Sequence, residues 1–216
     1  MVSRRDFIKT SAFASAATIS GGLLPTLSSC NVDPGKITIK SASSKFEREP
    51  LVRPFGFKGV YQNEFWVAAA QLESNSGLRH VGLQTQCLAW SDLEVFLANS
   101  EFDGNMLLIK SLDYALQMIK GQSFNNPIEL QDAILDDVYK YGQSLTNNKK
   151  LRMTFTLSSM VALDNALWML YAQENGFKNF DEMVPKEYRM ALGNRHKKVA
   201  HVPLTAYNIP LEEVSQ

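Results

Sequence analysis

Ala162-Leu163-Asp164-Asn165-Ala166-Leu167-Trp168-Met169-Leu170-Tyr171-Ala172, followed four residues later by Gly176, is the most informative run in the chain. Leu163, Ala166, Leu167, Leu170 and Tyr171 recur at helical spacing on one stripe, while Val161, Trp168 and Ala172 lie on another side. Only Ser158, Asn165 and Gln173 form a narrow polar strip. The pattern predicts a helix over about Leu151 to Asn175 with Gly176 as its stop. A helix that is apolar round most of its circumference belongs between two layers of structure, not on a surface.

Two further helices precede it. Met106, Ile109, Leu112, Ala115, Leu116 and Ile119 repeat at helical spacing up to Gly121. Pro127, well placed in a first turn, opens the next, which runs through Leu130, Ile134, Leu135, Val138 and Tyr141 to Gly142. Toward the N-terminus the period falls to two. Lys36 to Lys40 alternates as a strand, Glu64 to Glu73 reads as a second, and Val81 to Thr85 returns as a third after the turn Ser74-Asn75-Ser76-Gly77. Ser41 to Tyr61 carries Pro50, Pro54, Gly56 and Gly59 and is too punctuated for strand or helix, so it reads as a long loop. The fold class predicted is α+β, a small three-stranded antiparallel sheet followed by a helical bundle.

The first thirty residues are of another kind. Ser3-Arg4-Arg5-Asp6-Phe7-Ile8-Lys9 resembles the twin-arginine export signal. Thr10 to Ser29 is rich in Ala, Ser and Thr, carries Gly21, Gly22 and Pro25, and is too polar to span a bilayer. Leu27-Ser28-Ser29-Cys30 is similar to the lipobox of bacterial lipoproteins, in which the Cys takes a diacylglycerol and becomes the first mature residue. Two acyl chains suffice for stable anchoring. The reading is therefore a signal peptide over 1–29 with Arg4 and Arg5 as its export signal, and a lipid-anchored tether over 30–36 beginning at Cys30. It implies the twin-arginine machinery and a membrane as partners, and a location on the periplasmic or cell-surface side.

Composition narrows the rest. The 216 residues hold 22 basic and 22 acidic side chains, and removing Arg4, Arg5, Lys9 and Asp6 leaves 19 and 21, net −2. That balance gives no basic face for nucleic acid. With Cys30 lipidated, Cys87 has no disulfide partner within the chain. His80, His196 and His201 are scattered, and no Cys/His spacing suggests a metal site.

The Ala162–Ala172 helix also resembles the "A-L-D-x-A-L-W-x-L" helix that closes the N-terminal capping domain of the enolase superfamily, in its mandelate racemase and muconate-lactonising branch. The order of sheet, loop and helices agrees with that domain, and Val202-Pro203-Leu204-Thr205-Ala206-Tyr207 resembles the first strand of the barrel that follows it. The resemblance implies a capping domain over 37–198 and the start of a (β/α) barrel over 199–216, truncated at Gln216. It also implies an isomerase of racemase, epimerase or cycloisomerase type, which abstracts an α-proton from a carboxylate substrate with Mg²⁺. The family's Lys-x-Lys base and acidic metal ligands sit on the barrel, so no catalytic or metal residue is carried onto this chain. Mg²⁺ is expected only with a barrel domain present, either encoded separately or lost, and self-association is the other partner the reading allows. Asp132 and Asp136 read as a solvated face, and Asp164 as a hydrogen bond between helices. The segment Arg48 to Tyr61 occupies the place of the family's specificity loop, which makes Arg53, Phe55, Phe57, Lys58 and Tyr61 the candidate substrate contacts. The alternative is a non-catalytic, membrane-anchored binding or structural lipoprotein derived from such a cap.

Overall fold

The computed structural model describes residues 36–57, 59–193 and 196–201. The signal and lipid residues Arg4, Arg5 and Cys30, the tether, Lys58 and the expected barrel strand from Val202 lie outside the described residues.

The helix read from Ala162–Ala172 runs Met153–Glu174, our α5. Leu163, Ala166, Leu167 and Leu170 are fully buried within it. One side packs on the sheet and the other on α3 (Glu101–Ile119) and α4 (Pro127–Thr146), the two layers its apolar circumference requires. Gly176 stops the helix at φ +67°. Asn126 caps α4 by accepting from Glu129 N, with Pro127 in the first turn as expected, and the helix continues past Gly142 to a left-handed Asn147. α3 begins earlier than its periodicity indicates, at a Ser100 cap that accepts from Asp103 N. Two short helices, α1 (Leu88–Ser91) and α2 (Leu93–Leu97), are too brief to leave a periodic signal. α6 (Phe180–Met183) and a 3₁₀ turn (Lys186–Gly193) close the described part.

The sheet differs from its expectation in two respects. Among the described residues it has four strands in the order β3-β2-β1-β4, not three. The fourth, β4 (Ser123–Phe124), pairs only with Ile37 and Thr38 and is too short to be read as an alternation. More consequentially, the stretch expected as a loop is strand. β1 runs Ile37–Phe57 and pairs antiparallel with β2 (Val60–Ser74) nearly to a turn at Gly59, φ +81°. The inward positions of β1 beyond Ala42 are Ser44, Phe46 and Arg48, held by Asp113, by the Trp66 ring and by Glu64. On this face partnered polar residues, Ser44 half-buried and Arg48 exposed, stand where an apolar alternation would have marked a strand. The prolines fit because register breaks between Pro50 and Phe55, where Leu51 to Pro54 bulge opposite Asn63 alone.

β3 (Arg79–Gln86) is an edge strand, and the polar strip of α5 explains how that edge is covered. Asn165 Nδ2 donates to the Leu83 carbonyl at 2.8 Å, Gln173 meets His80, and the Gln84 amide donates to the Ser158 carbonyl. Gly82 lies between these contacts, where α5 comes closest to the strand. Among the described residues no helix is long and apolar enough to cross a membrane.

Candidate functional site

The hairpin of β1 and β2 ends in a group of aromatic rings. Phe55 and Phe57 point to one face by their two-residue spacing and stack at 6.2 Å. Phe65 of β2 joins Phe55 at 6.0 Å, and Trp90 of α1 meets Phe57 at 5.3 Å. Phe55 and Phe57 are half-buried, while Trp90 and Tyr61 are 58% and 53% exposed. The structure thus brings Phe55 and Phe57 together. Tyr61 lies on the opposite strand, paired with Gly56, and Arg53 lies in the bulge. Phe65 and Trp90 were not selected from the sequence. Phe65 reads there as ordinary strand, and Trp90 sits in a four-residue helix with no period.

Beneath the tip, a second cluster fixes the hairpin to the bundle. Arg48 Nε donates to both Glu64 oxygens at 3.0 Å, Nη2 lies 2.8 Å from Oε2, and Trp66 Nε1 donates to Glu64 Oε1 at 2.7 Å. The guanidinium sits 5.5 Å from the Trp66 ring and 5.2 Å from Phe102. Phe46 stacks on Trp66 at 4.8 Å. Glu101, in the first turn of α3, accepts from the backbone N–H of Asn63 at 3.0 Å and of Glu64 at 3.2 Å. The strand opposite the bulge therefore has donors that the broken register leaves without a partner met by a helix residue.

Burial pushes the Glu64 carboxyl up. The hydrogen bonds of Arg48 and Trp66 and the Arg48 charge outweigh it, so its pKa lies below the ordinary 4.5. Glu73 is also lowered, chiefly by the hydrogen bonds of Lys40 and Arg79. A carboxylate with a depressed folded pKa stabilises the fold above its unfolded pKa and loses that contribution as pH falls through the folded value. Stability is therefore expected to fall as pH drops below about 4.5, the ordinary value. Glu64→Gln should flatten part of that slope. Urea unfolding midpoints measured from pH 6 down to pH 3 check this, and an unchanged slope in Glu64→Gln would show that Glu64 is not responsible.

The remaining singled-out residues have structural surroundings. Asp164 Oδ1 accepts from Gln131 Nε2 at 2.6 Å, which ties α5 to α4. Trp168 packs partly buried against the core and meets Tyr171 edge-on. Cys87 is half-buried, and its thiol lies 3.4 Å from Gln62 Oε1. Among the described residues no three His, Cys, Asp or Glu side chains are grouped to hold a metal ion.

No protein-family profile matches the chain, and no curated protein matches it. Solved structures do. The chain is similar to a dipeptide epimerase from Enterococcus faecalis V583 at 15% identity and TM-score 0.41, covering 63% of this chain and 32% of that one. It is similar to an L-talarate dehydratase from Polaromonas sp. JS666 at 17% identity and TM-score 0.41, over 65% and 33% of the two chains. The L-Ala-D/L-Glu epimerase from Bacillus subtilis is similar at 21% identity and TM-score 0.38, over 63% and 31%. These structures are enzymes of the enolase superfamily, and the chain spans about a third of their length.

Proposed function

We propose that residues 37–198 are a capping domain of the enolase-superfamily type, from the mandelate racemase and muconate-lactonising branch. In this reading the domain serves an exported isomerase, a racemase, epimerase or cycloisomerase acting on a carboxylate substrate. The observation that carries the proposal is the half-exposed aromatic tip, Phe55, Phe57, Phe65 and Trp90, held out on a long hairpin whose base is locked by Arg48, Glu64 and Glu101. A rigid arm ending in apolar surface suits an element that closes over one end of a substrate and excludes water from it. Arg53, Lys58 and Tyr61 border that tip in sequence and are proposed to add polar contacts. The α-proton chemistry belongs to a barrel domain. Mg²⁺ bound there would supply charge stabilisation, and among the described residues of this chain no three His, Cys, Asp or Glu side chains are grouped to hold it.

The test uses the protein isolated from its native membrane together with whatever chain supplies a barrel. Deuterium incorporation is followed by NMR over a panel of dipeptides, sugar acids and hydroxy acids, with and without Mg²⁺. Phe57→Ala is expected to reorder the preferred substrates, raising KM for bulky ones by roughly tenfold, about 1.4 kcal/mol, while small substrates change little. An unchanged ranking would remove the tip from substrate contact. No Mg²⁺-dependent exchange on any substrate would remove the isomerase reading.

We propose in addition that the twin-arginine segment exports the chain and that Cys30 carries the lipid. The support is the order Arg4-Arg5-Asp6-Phe7-Ile8-Lys9, then a weakly apolar stretch, then Leu27-Ser28-Ser29-Cys30. Replacing Arg4 and Arg5 together by Lys should leave uncleaved precursor in the cytoplasm. Cys30→Ser should abolish labelling by radioactive palmitate. Labelling that persists in Cys30→Ser would show the anchor assignment to be wrong.

A further inference from the structure

The two helices α4 and α5 leave an open groove of about 340 Å³ between them. It lies away from the hairpin tip in the chain, and its reading does not depend on the proposed function. Its floor is apolar: Ile128 and Leu135 from α4, and Leu157, Met160, Val161 and Trp168 from α5. Leu157, Val161, Asp164 and Trp168 follow one another at spacings of four, three and four, so they form one seam along α5. Ile128, Gln131 or Asp132, and Leu135 repeat the pattern on α4. Leu157 is 50% exposed and Val161 38%, although the helix buries Leu163, Ala166, Leu167 and Leu170 between layers.

The charged residues of the groove carry one sign. Asp132 and Asp164 line it, and no Lys or Arg does. Glu129 and Asp136 extend the acidic run one turn each way along α4, and both are exposed. Lys140, the cation farther along α4, lies 3.5 Å from Asp137. Gln131 fastens Asp164 across the groove, which holds one carboxylate in place between the two seams.

We propose that this groove binds a cationic amphipathic helix of a partner protein. Two antiparallel seams with spacings of three and four accept the ridge of a third helix, whose axis would lie about 8–10 Å from each. Apolar side chains of the partner at i, i+4 and i+7 fill the floor, the helix-in-groove mode of recognition. Lys or Arg on its flanks faces Asp132 and Asp164. A second copy of this chain is disfavoured as the occupant, because it would set Asp132 and Asp164 against their own like charges.

The test uses the full 216-residue chain with Cys30→Ser, so that no lipid competes. The probe is a fluorescent 15-residue synthetic helix of Ala, Leu and Lys, with Leu on one stripe and Lys beside it. A second peptide carries Glu in place of Lys. Fluorescence anisotropy should show the Lys peptide binding at least tenfold more tightly than the Glu peptide, and more weakly as salt is raised. Asp132→Lys and Leu157→Glu, both at exposed positions, should each weaken it at least tenfold while leaving the thermal midpoint within about 2 °C of the parent. No binding, equal binding of the two peptides, or binding that neither substitution weakens overturns the proposal. So does a dimer in sedimentation that Leu157→Glu breaks, in the absence of peptide binding, because that assigns the groove to a second copy.

Discussion

Gly82→Ala destabilises this domain by about 3 kcal/mol, at the upper end of what overpacking costs. A Cβ on Gly82 would fall far inside 3.0 Å of the Ala162 carbonyl oxygen and the Ala166 nitrogen, and 2.9 Å from the Asn165 Cβ. The first two are helix backbone, so no flexible side chain can turn aside. Relief requires α5 to move off β3. That shift would also lengthen the hydrogen bonds that Asn165 Nδ2 donates to the Leu83 carbonyl and Ala162 N–H donates to Gln84 Oε1, 2.8 and 3.3 Å in the structure. A domain of this size loses roughly 2–4 °C of thermal midpoint per kcal/mol, so a fall of about 10 °C is expected. Gly193→Ala is the control, because nothing lies within 4 Å of the Cβ it would introduce. Thermal unfolding by circular dichroism decides the matter. A midpoint for Gly82→Ala within 1 °C of the parent would show that the helix does not rest on the strand as described.

Gly82 also marks where the sequence is legible and where it is not. The helix it touches could be read directly, since Leu163, Ala166, Leu167 and Leu170 keep their period and their burial is a local consequence of it. The contact itself could not. A lone Gly in a strand signals a close approach without naming the other party. The hairpin shows the opposite failure. Trp66, Ala68, Ala70 and Leu72 alternate on β2 and identify it, but β1 answers them with Arg48, Phe46, Ser44 and Ala42. Two of those four are polar, half-buried Ser44 and exposed Arg48, and their partners Asp113 and Glu64 lie far away or across the strand. Local pattern cannot report a partner 69 residues distant. The same limit governs the candidate site. Phe55 and Phe57 are legible in sequence only as aromatics of a loop; their common face follows from the strand, and Trp90 becomes part of the site only through the fold. The acidic groove between α4 and α5 was half visible. Asp132 and Asp136 were read as solvated, but the apolar floor beside Asp132 depends on how the two helices pack.

Trp66→Ala is expected to cost about 3–5 kcal/mol and, unlike Gly82→Ala, to loosen the hairpin before the rest of the domain. Trp66 is fully buried and is the shared member of several contacts. Phe46 stacks on it at 4.8 Å, Phe102 meets it at 5.3 Å, and the Arg48 guanidinium lies over it. Its indole N–H also donates to Glu64, the residue that holds Arg48. Removing the ring leaves a cavity between β1, β2 and α3 and deprives Glu64 of one of the hydrogen bonds that lower its pKa. Cross-strand from it lies Gln86, 1% exposed, with neither amide atom partnered among the described residues. Water entering the cavity could reach that amide, so the loss should fall toward the lower end of the range. Trp66→Phe keeps a ring in the stack but loses the N–H bond and part of the indole's volume, for which about 2–3 kcal/mol is the expected cost. Hydrogen exchange read by mass spectrometry separates the local from the global effect. In Trp66→Ala, amides of Phe46 to Phe57 and Val60 to Phe65 should exchange at least tenfold faster, while those of α5 change in step with overall stability alone. Uniform acceleration across sheet and helices would mean that Trp66 serves the core as a whole and that the hairpin has no separate anchor.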